Sequence, residues 1–330
     1  MKTTLSRWAS LALLAGGVLI TAGTALAQAW KPEKPVELTI PAGPGGSNDI
    51  TARVVQKIWG GLHLLPVPSS VVNRGGGGHV VAYTYLRGRA RDPYTLSLVS
   101  TPLLMNYATG RSKLSYKDVT PIAMLTDEPM VVVVRADSPL KTGQDLLDAL
   151  KKDPASLSIA LTSDGHRVSI GLPLQKAGIS IKGIRIVAFK SGGETTTALM
   201  GGHTDVVITS VSSLIPHATA GTLRGIAVSS SKRLGGPVAD MPTWQELGYP
   251  SSGSWKGIAG PPGLTSAQVA YWEAVMRTTA QSEELAAYAQ KNQWLIAYKS
   301  SAETVEWMGE ESERLKEVVQ ALGLVRKKKS

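Results

Sequence analysis

The chain has no cysteine. Disulfides are therefore excluded, no thiolate is available to a zinc site, and no lipid can be attached through an N-terminal cysteine. Long apolar runs are equally scarce. Leu11-Ala-Leu-Leu-Ala-Gly-Gly-Val-Leu-Ile20 is strongly apolar but falls short of the roughly 20 residues that cross a bilayer, and no later segment reaches that length without a charge. No basic run is interleaved with aromatics, which argues against nucleic acid as a partner. The motifs of common catalysts are missing too. There is no Gly-Lys-Ser/Thr ending to a P-loop and no Gly-x-Ser-x-Gly elbow, and Asn73–His79 lacks the Gly-x-Gly-x-x-Gly spacing. The five histidines (His63, His79, His166, His203, His217) show no metal spacing, so neither a metal nor a cofactor is expected.

What is present begins with an export signal. Lys2 and Arg7 precede the apolar stretch, and Ala25-Leu-Ala27 supplies a small-x-small cleavage pattern, so residues 1–27 read as a signal peptide cut before Gln28. The expected location is the periplasm. About 300 residues remain, enough for a sizeable core and for two domains, and without disulfides that core must carry the stability. The formal charge of +10 is mostly peripheral. Lys2 and Arg7 leave with the leader and Arg326-Lys-Lys-Lys329 holds four charges, which leaves +4 for the body. An excess of that size suits attraction of small anions.

From Lys34 onward short apolar runs alternate with helical stretches, the pattern of a mostly parallel α/β architecture. Strands are expected at Val36–Ile40, Val67–Val72, Tyr94–Val99, Met130–Arg135, Ser158–Leu161, Ile184–Phe189, Val206–Thr209, Leu223–Val228 and Trp255–Gly260. Helices are expected at Asn48–Trp59, Gly78–Arg87, Thr142–Leu150, Arg167–Ala177, Glu194–Met200, Ser213–Thr219, Ser266–Ala280, Ser282–Asn292 and Ala302–Leu322. An internal echo joins Pro129–Pro139 to Ser254–Pro262: each is an extended segment, a proline break, then an amphipathic helix. Either the echo is chance, or both extended segments are crossovers between two lobes. The second reading gives lobe one as residues 28–128 and 256–330, lobe two as 129–255, and a cleft between them.

Strand-to-helix corners are where such a chain would hold a ligand. Pro41-Ala-Gly-Pro-Gly-Gly-Ser-Asn-Asp49 links Val36–Ile40 to a helix. Glycines there let the backbone approach a guest, and the free N–H groups of the helix start favour an anion. A plain tight turn would use glycine as well. Ser47 reads as a cap or hydroxyl donor. Asp49 either favours the helix start electrostatically or holds water or a ligand hydroxyl or ammonium group. Similar corners recur at Ser100-Thr101-Pro102, Ser163 to His166, Lys190-Ser191-Gly192-Gly193 and Thr209-Ser210, and in an open α/β sheet such corners collect at one cleft. Trp244, Trp272, Trp294 and Trp307 read as core, whereas Trp255, at the start of an expected hinge strand, is open to cleft contact.

Four blocks of residues together resemble one family. They are Lys34–Arg53 (KPVELTIPAGPGGSNDITAR), Val71–Tyr83 (VVNRGGGGHVVAY) followed by Asp92–Leu98, Phe189–Ile208 (FKSGGETTTALMGGHTDVVI), and Ala220–Arg233 leading to Met241–Pro250 and Trp255–Gly263. The series resembles the exported solute receptors of tripartite tricarboxylate transporters, the tricarboxylate-binding or Bug-type family. That resemblance implies a type II periplasmic-binding-protein fold that closes on a small carboxylate and delivers it to a membrane permease, with no chemistry, and a monomer. It implies facing carboxylate-binding loops at Pro44, Gly45, Gly46, Ser47, Asn48 and Asp49 and at Lys190, Ser191, Gly192 and Gly193. Ser100, Thr101, Ser163, His166, Thr209 and Ser210 are its implied side contributors. The chain departs from the family in having Gly43 where a proline is common, Phe189 where tyrosine is common, and no acid in the helix start after His166. Arg167 is therefore a candidate for a charge-assisted contact to a second carboxylate. Two other functions fit less of the sequence: an exported hydrolase using Ser163 and His166, and a ligand-presenting protein for an extracytoplasmic sensor.

Overall fold

The computed structural model describes residues 30–326. The expected leader and Lys327–Lys329 of the basic tail lie outside the described residues. Eleven strands and ten α-helices are described, arranged as two sheets.

Alternation along the strands explains why each sheet is covered on both faces. In β5 (Met130–Arg135) Met130, Val132 and Val134 enter one apolar cluster while Val131 and Val133 enter another. A continuous valine run is what a doubly covered strand requires, because successive side chains point to opposite faces. In β3 (Thr95–Ser100) Leu96 and Leu98 face the cluster built on Trp59 and Trp272, and Val99 faces the one built on Leu103, Met308 and Leu315.

The first sheet runs β11-β4-β10-β3-β1-β2. Here β1 is Val36–Ile40, β2 Ser69–Asn73, β4 Thr120–Glu128, β10 Ser254–Gly260 and β11 Leu295–Lys299. β1 pairs in parallel with β2 and β3, and β10 lies antiparallel between β3 and β4. The second sheet runs β7-β6-β8-β5-β9, with β6 Ser158–Leu161, β7 Arg185–Ala188, β8 Val206–Ser210 and β9 Leu223–Val228. Each sheet with its helices makes a lobe. The chain passes from the first sheet to the second at Pro129, and returns between Val228 and Ser254. Met130–Arg135 lies wholly in the second sheet and Ser254–Gly260 wholly in the first, so the crossings fall at, or just before, the start of each echo segment.

Four expected strands, β1, β5, β6 and β9, have their observed limits, and the other expected elements shift by a few residues. Three elements were not expected. α3 (Pro102–Ala108) begins with proline at a first-turn position, where a missing N–H costs nothing. β4 carries Pro121 and polar ends that hide its apolar middle, Ile122–Leu125. β11 is a short edge strand with Leu295 and Ile296 exposed, set between two helices.

The lobes also touch away from the two crossings. Val168 and Leu172 of α5 (Asp164–Lys176) pack into the cluster of Leu103, Leu104 and Leu322. Arg111 meets the buried Asp164 with Nε at 2.7 Å and Nη2 at 3.0 Å. Expected on the same packing grounds, Gly143→Ala destabilises the chain by roughly 1–3 kcal/mol. A Cβ at Gly143, the start of α4 (Gly143–Lys152), would sit 2.8 Å from the Ala227 methyl and from a Trp244 ring carbon. A lowered denaturation midpoint at unchanged slope checks it.

Candidate functional site

Helix starts from both lobes converge on one cavity. α1 (Ser47–Gly61) follows β1, and its N-cap Gly46 offers no side chain, so the N–H groups of the first turn have no intrahelical acceptor and no side-chain cap. α6 (Gly192–Met200) follows β7; its cap Ser191 accepts from the Glu194 N–H at 3.2 Å, leaving the N–H groups of Gly192 and Gly193 outside that bond. The two corners meet. A Cβ on Gly46 would lie 3.3 Å from the Gly192 nitrogen, and one on Gly193 would lie 3.4 Å from the Pro44 carbonyl. The first distance is tighter than ordinary contact, so glycine lets the two backbones approach without either having to give.

Gly46, Ser47, Asn48, Ser100, Thr101, Ser163, His166, Lys190, Ser191, Gly192, Thr209 and Ser210 all line that cavity. Five sequence candidates do not. Pro44, Gly45 and Gly193 contribute to the touching corners without lining the space. Asp49 is committed to its own lobe: Oδ2 accepts from the Gly45 N–H at 3.1 Å, Oδ1 accepts from Asn73 Nδ2 at 2.9 Å, and Arg53 Nε donates to both oxygens at 3.0 Å. Burial alone would raise its pKa, but these donors hold it below the usual carboxylate range. Arg167 faces a different hollow, beside Ile184 and Leu324, and lies 3.5 Å from Asp164. It is not placed to meet a second carboxylate in the cleft.

The floor of the cavity holds a group no sequence spacing announced. Lys256 on β10 is buried against Glu128, the last residue of β4, and its ammonium also donates to Ser47 Oγ. Ser47 of the first lobe and Ser212 of the second both donate to the Glu128 carboxylate, and Trp294 Nε1 donates to it at 3.0 Å. Ser47 is therefore neither cap nor free donor; its hydroxyl is engaged at the floor. Burial pushes the Glu128 pKa up, but Lys256 and the serine donors outweigh it and hold the carboxylate low. The Lys256 ammonium is pulled down by burial against the attraction of Glu128. Trp294 thus does more than fill the core, whereas Trp255 packs edge-on against Trp307 at 5.2 Å and does not line the cavity.

His166 and His79 stand on the same walls. Burial lowers the His166 pKa to about 4. Burial, then the nearby His166 and Arg111, lowers that of His79 to about 3. Both imidazoles are neutral near pH 7. Ser163 Oγ accepts from the His166 backbone N–H at 3.4 Å as the cap of α5, while the imidazole Nδ1 lies 3.4 Å from Thr162 Oγ1. The Ser163 hydroxyl is thus not bonded to the imidazole, so the pair lacks the nucleophile-to-base contact a hydrolase needs. Among the described residues no group of three metal-ligating side chains gathers.

Residues 52–324 match the family model described as the tripartite tricarboxylate transporter family receptor. The chain belongs to that family. Protein BugT of Bordetella pertussis is 30% identical to it over 239 residues, covering 70% of this chain and 72% of that protein. The structure of the periplasmic binding protein BugD superposes with a TM-score of 0.82 at 20% identity, covering 90% of this chain and 100% of that one. MatC from Rhodopseudomonas palustris, with bound malate, superposes with a TM-score of 0.78 at 24% identity, covering 87% and 99%. The two-lobed, twice-crossed architecture of this receptor is accordingly the type II periplasmic-binding-protein fold, and the family is one of solute-binding receptors and not of enzymes.

Two outcomes follow for the receptor's stability. Glu128→Gln and Lys256→Met singly cost about 3–5 kcal/mol, because each strands a buried partner. The double variant is expected to cost well under the sum, a coupling above about 2 kcal/mol in a double-mutant denaturation cycle. The histidines set the pH response. Their folded pKa values lie below the ordinary 6.5, so the unfolded chain takes up protons that the folded one refuses, and stability present above about pH 6.5 is lost as pH falls toward 4. Melting temperatures measured from pH 7 to 5 should fall, and fall less steeply in His166→Gln.

Proposed function

We propose that this chain is a periplasmic receptor that captures a small organic carboxylate, of the dicarboxylate or tricarboxylate type, and delivers it to the permease of a tripartite tricarboxylate transporter. The observation that carries the reading is the meeting of the Gly46 and Gly192 corners across one cavity. Each corner ends a strand and starts a helix, so unpartnered N–H groups and two helix dipoles favour negative charge at the same place. Lys190 precedes one corner, is exposed and makes no ion pair among the described residues, and so adds a positive charge at the mouth. Malate in the related MatC supports a carboxylate as the class of ligand.

The remaining parts of the reading follow from the same picture. The leader at residues 1–27 is cleaved on export. The lobes, residues 28–128 with 256–330 and residues 129–255, close about a hinge at Pro129 and just before Ser254, and the receptor works as a monomer. Affinity comes from interactions made only when the lobes are together, so ligand shifts the population toward the closed form by its differential affinity.

A thermal-shift screen against small carboxylates is expected to raise the melting temperature for a subset of them, since a ligand held only by the folded form stabilises it in proportion to the logarithm of its concentration. Gly46→Ala places a methyl against the Gly192 nitrogen only when the lobes meet. It is expected to weaken a carboxylate found in that screen about tenfold or more by calorimetry, with little change in the ligand-free melting temperature. Undiminished affinity in this variant would remove the corners from the site.

A further inference from the structure

Three features coincide at His79. Its backbone is left-handed, with φ of +81°, which a non-glycine residue holds only when its surroundings impose it. It closes a run in which Gly76, Gly77 and Gly78 also have positive φ, so glycine is needed up to the histidine and then gives way to a large side chain. The loop is braced from behind. Asn106 Nδ2 donates to the Gly78 carbonyl at 2.8 Å, and the Arg111 guanidinium that holds Asp164 lies against Gly78.

The imidazole so positioned lines the cavity at 6% exposure, and its Nδ1 has no hydrogen-bond partner among the described residues. Thr101, also in the cavity wall at 5% exposure, has an Oγ1 in the same condition. A buried polar atom left unpaired costs about 1–3 kcal/mol. Ser100 Oγ in the same wall is unpaired as well, and several such atoms around one cavity are accounted for if a guest supplies partners.

The surroundings restrict what that guest presents. The Lys256 charge is taken by Glu128 and the Arg111 charge by Asp164, and the imidazole is neutral. Lys190 stands at the mouth, so a carboxylate buried against this inner wall would have no free counter-charge beside it, a heavy penalty. A hydroxyl or oxo oxygen incurs none of it and can bond to the orphaned His79 and Thr101 groups. We propose that His79 and Thr101 form a neutral subsite that recognises a hydroxyl or oxo oxygen on the carboxylate held at the glycine corners, and thereby select among carboxylates. This inference rests on the carboxylate reading above.

The test is calorimetric titration of the exported protein with probe pairs that differ by one hydroxyl: malate against succinate, citrate against tricarballylate, and 3-hydroxybutyrate against butyrate. The hydroxylated member of at least one pair is expected to bind about tenfold more tightly, the worth of one neutral hydrogen bond. Thr101→Val, nearly equal in shape, and His79→Leu should each shrink that ratio to about twofold by weakening the hydroxylated member alone. His79→Asn should restore part of it, because an amide can donate and accept and asparagine tolerates the left-handed backbone. A wild-type protein that binds these carboxylates without distinguishing the hydroxyl, or a ratio that survives Thr101→Val and His79→Leu, overturns the subsite and leaves the carboxylate reading standing. If no member of any pair binds, both fall.

Discussion

The approach of two backbones, Gly46 on one lobe and Gly192 on the other, is the constraint on which the rest of the site depends. No side chain mediates it. A side chain at Gly46 would press on the Gly192 nitrogen and, on the proposed reading, crowd the N–H groups offered to the anion. The cost of leaving those groups without protein partners is tolerable only at a place where water or a ligand can reach them. Helix starts at a cleft are such a place.

Below the corners the Lys256–Glu128 pair has a different part. Serines from both lobes donate to one carboxylate that sits at the end of β4, immediately before the chain crosses at Pro129. The pair therefore links serines of both lobes to the point where the chain crosses, while contributing no net charge to the cavity. Its worth lies in positioning, since a buried ion pair gains little over apolar packing but fixes orientation through its hydrogen bonds. On the proposed reading the positive field at the ligand comes instead from backbone dipoles and the exposed Lys190.

Much of the fold was legible because its signals are local. The valine run of β5 and the glycine corners after β1 and before α6 announce themselves within ten residues, and their strand-to-helix position is what led to the expectation of one cleft. The floor was not legible. Glu128 stands in Thr126-Asp-Glu-Pro129 with no motif around it, and its partner is 128 positions away on a strand where a lone lysine interrupts apolar and glycine residues. That interruption of Trp255-Lys-Gly-Ile-Ala259 was the available clue. Arg167 misled for a related reason: sequence places it one residue after His166, but on a helix neighbouring side chains point about 100° apart, and it faces another hollow. His79 fits no metal spacing, and its place in the wall is set by the left-handed backbone of Gly76, Gly77 and Gly78 before it, which residue identities alone do not reveal.

The most direct measurement of the central claim is the amide resonance of individual glycines. In an isotope-labelled sample titrated with a carboxylate that raises the melting temperature, the Gly46 and Gly192 N–H protons should move downfield together and saturate at one ligand equivalent, as donors to a shared anion do. Saturable binding that leaves both resonances in place and perturbs residues elsewhere would contradict it.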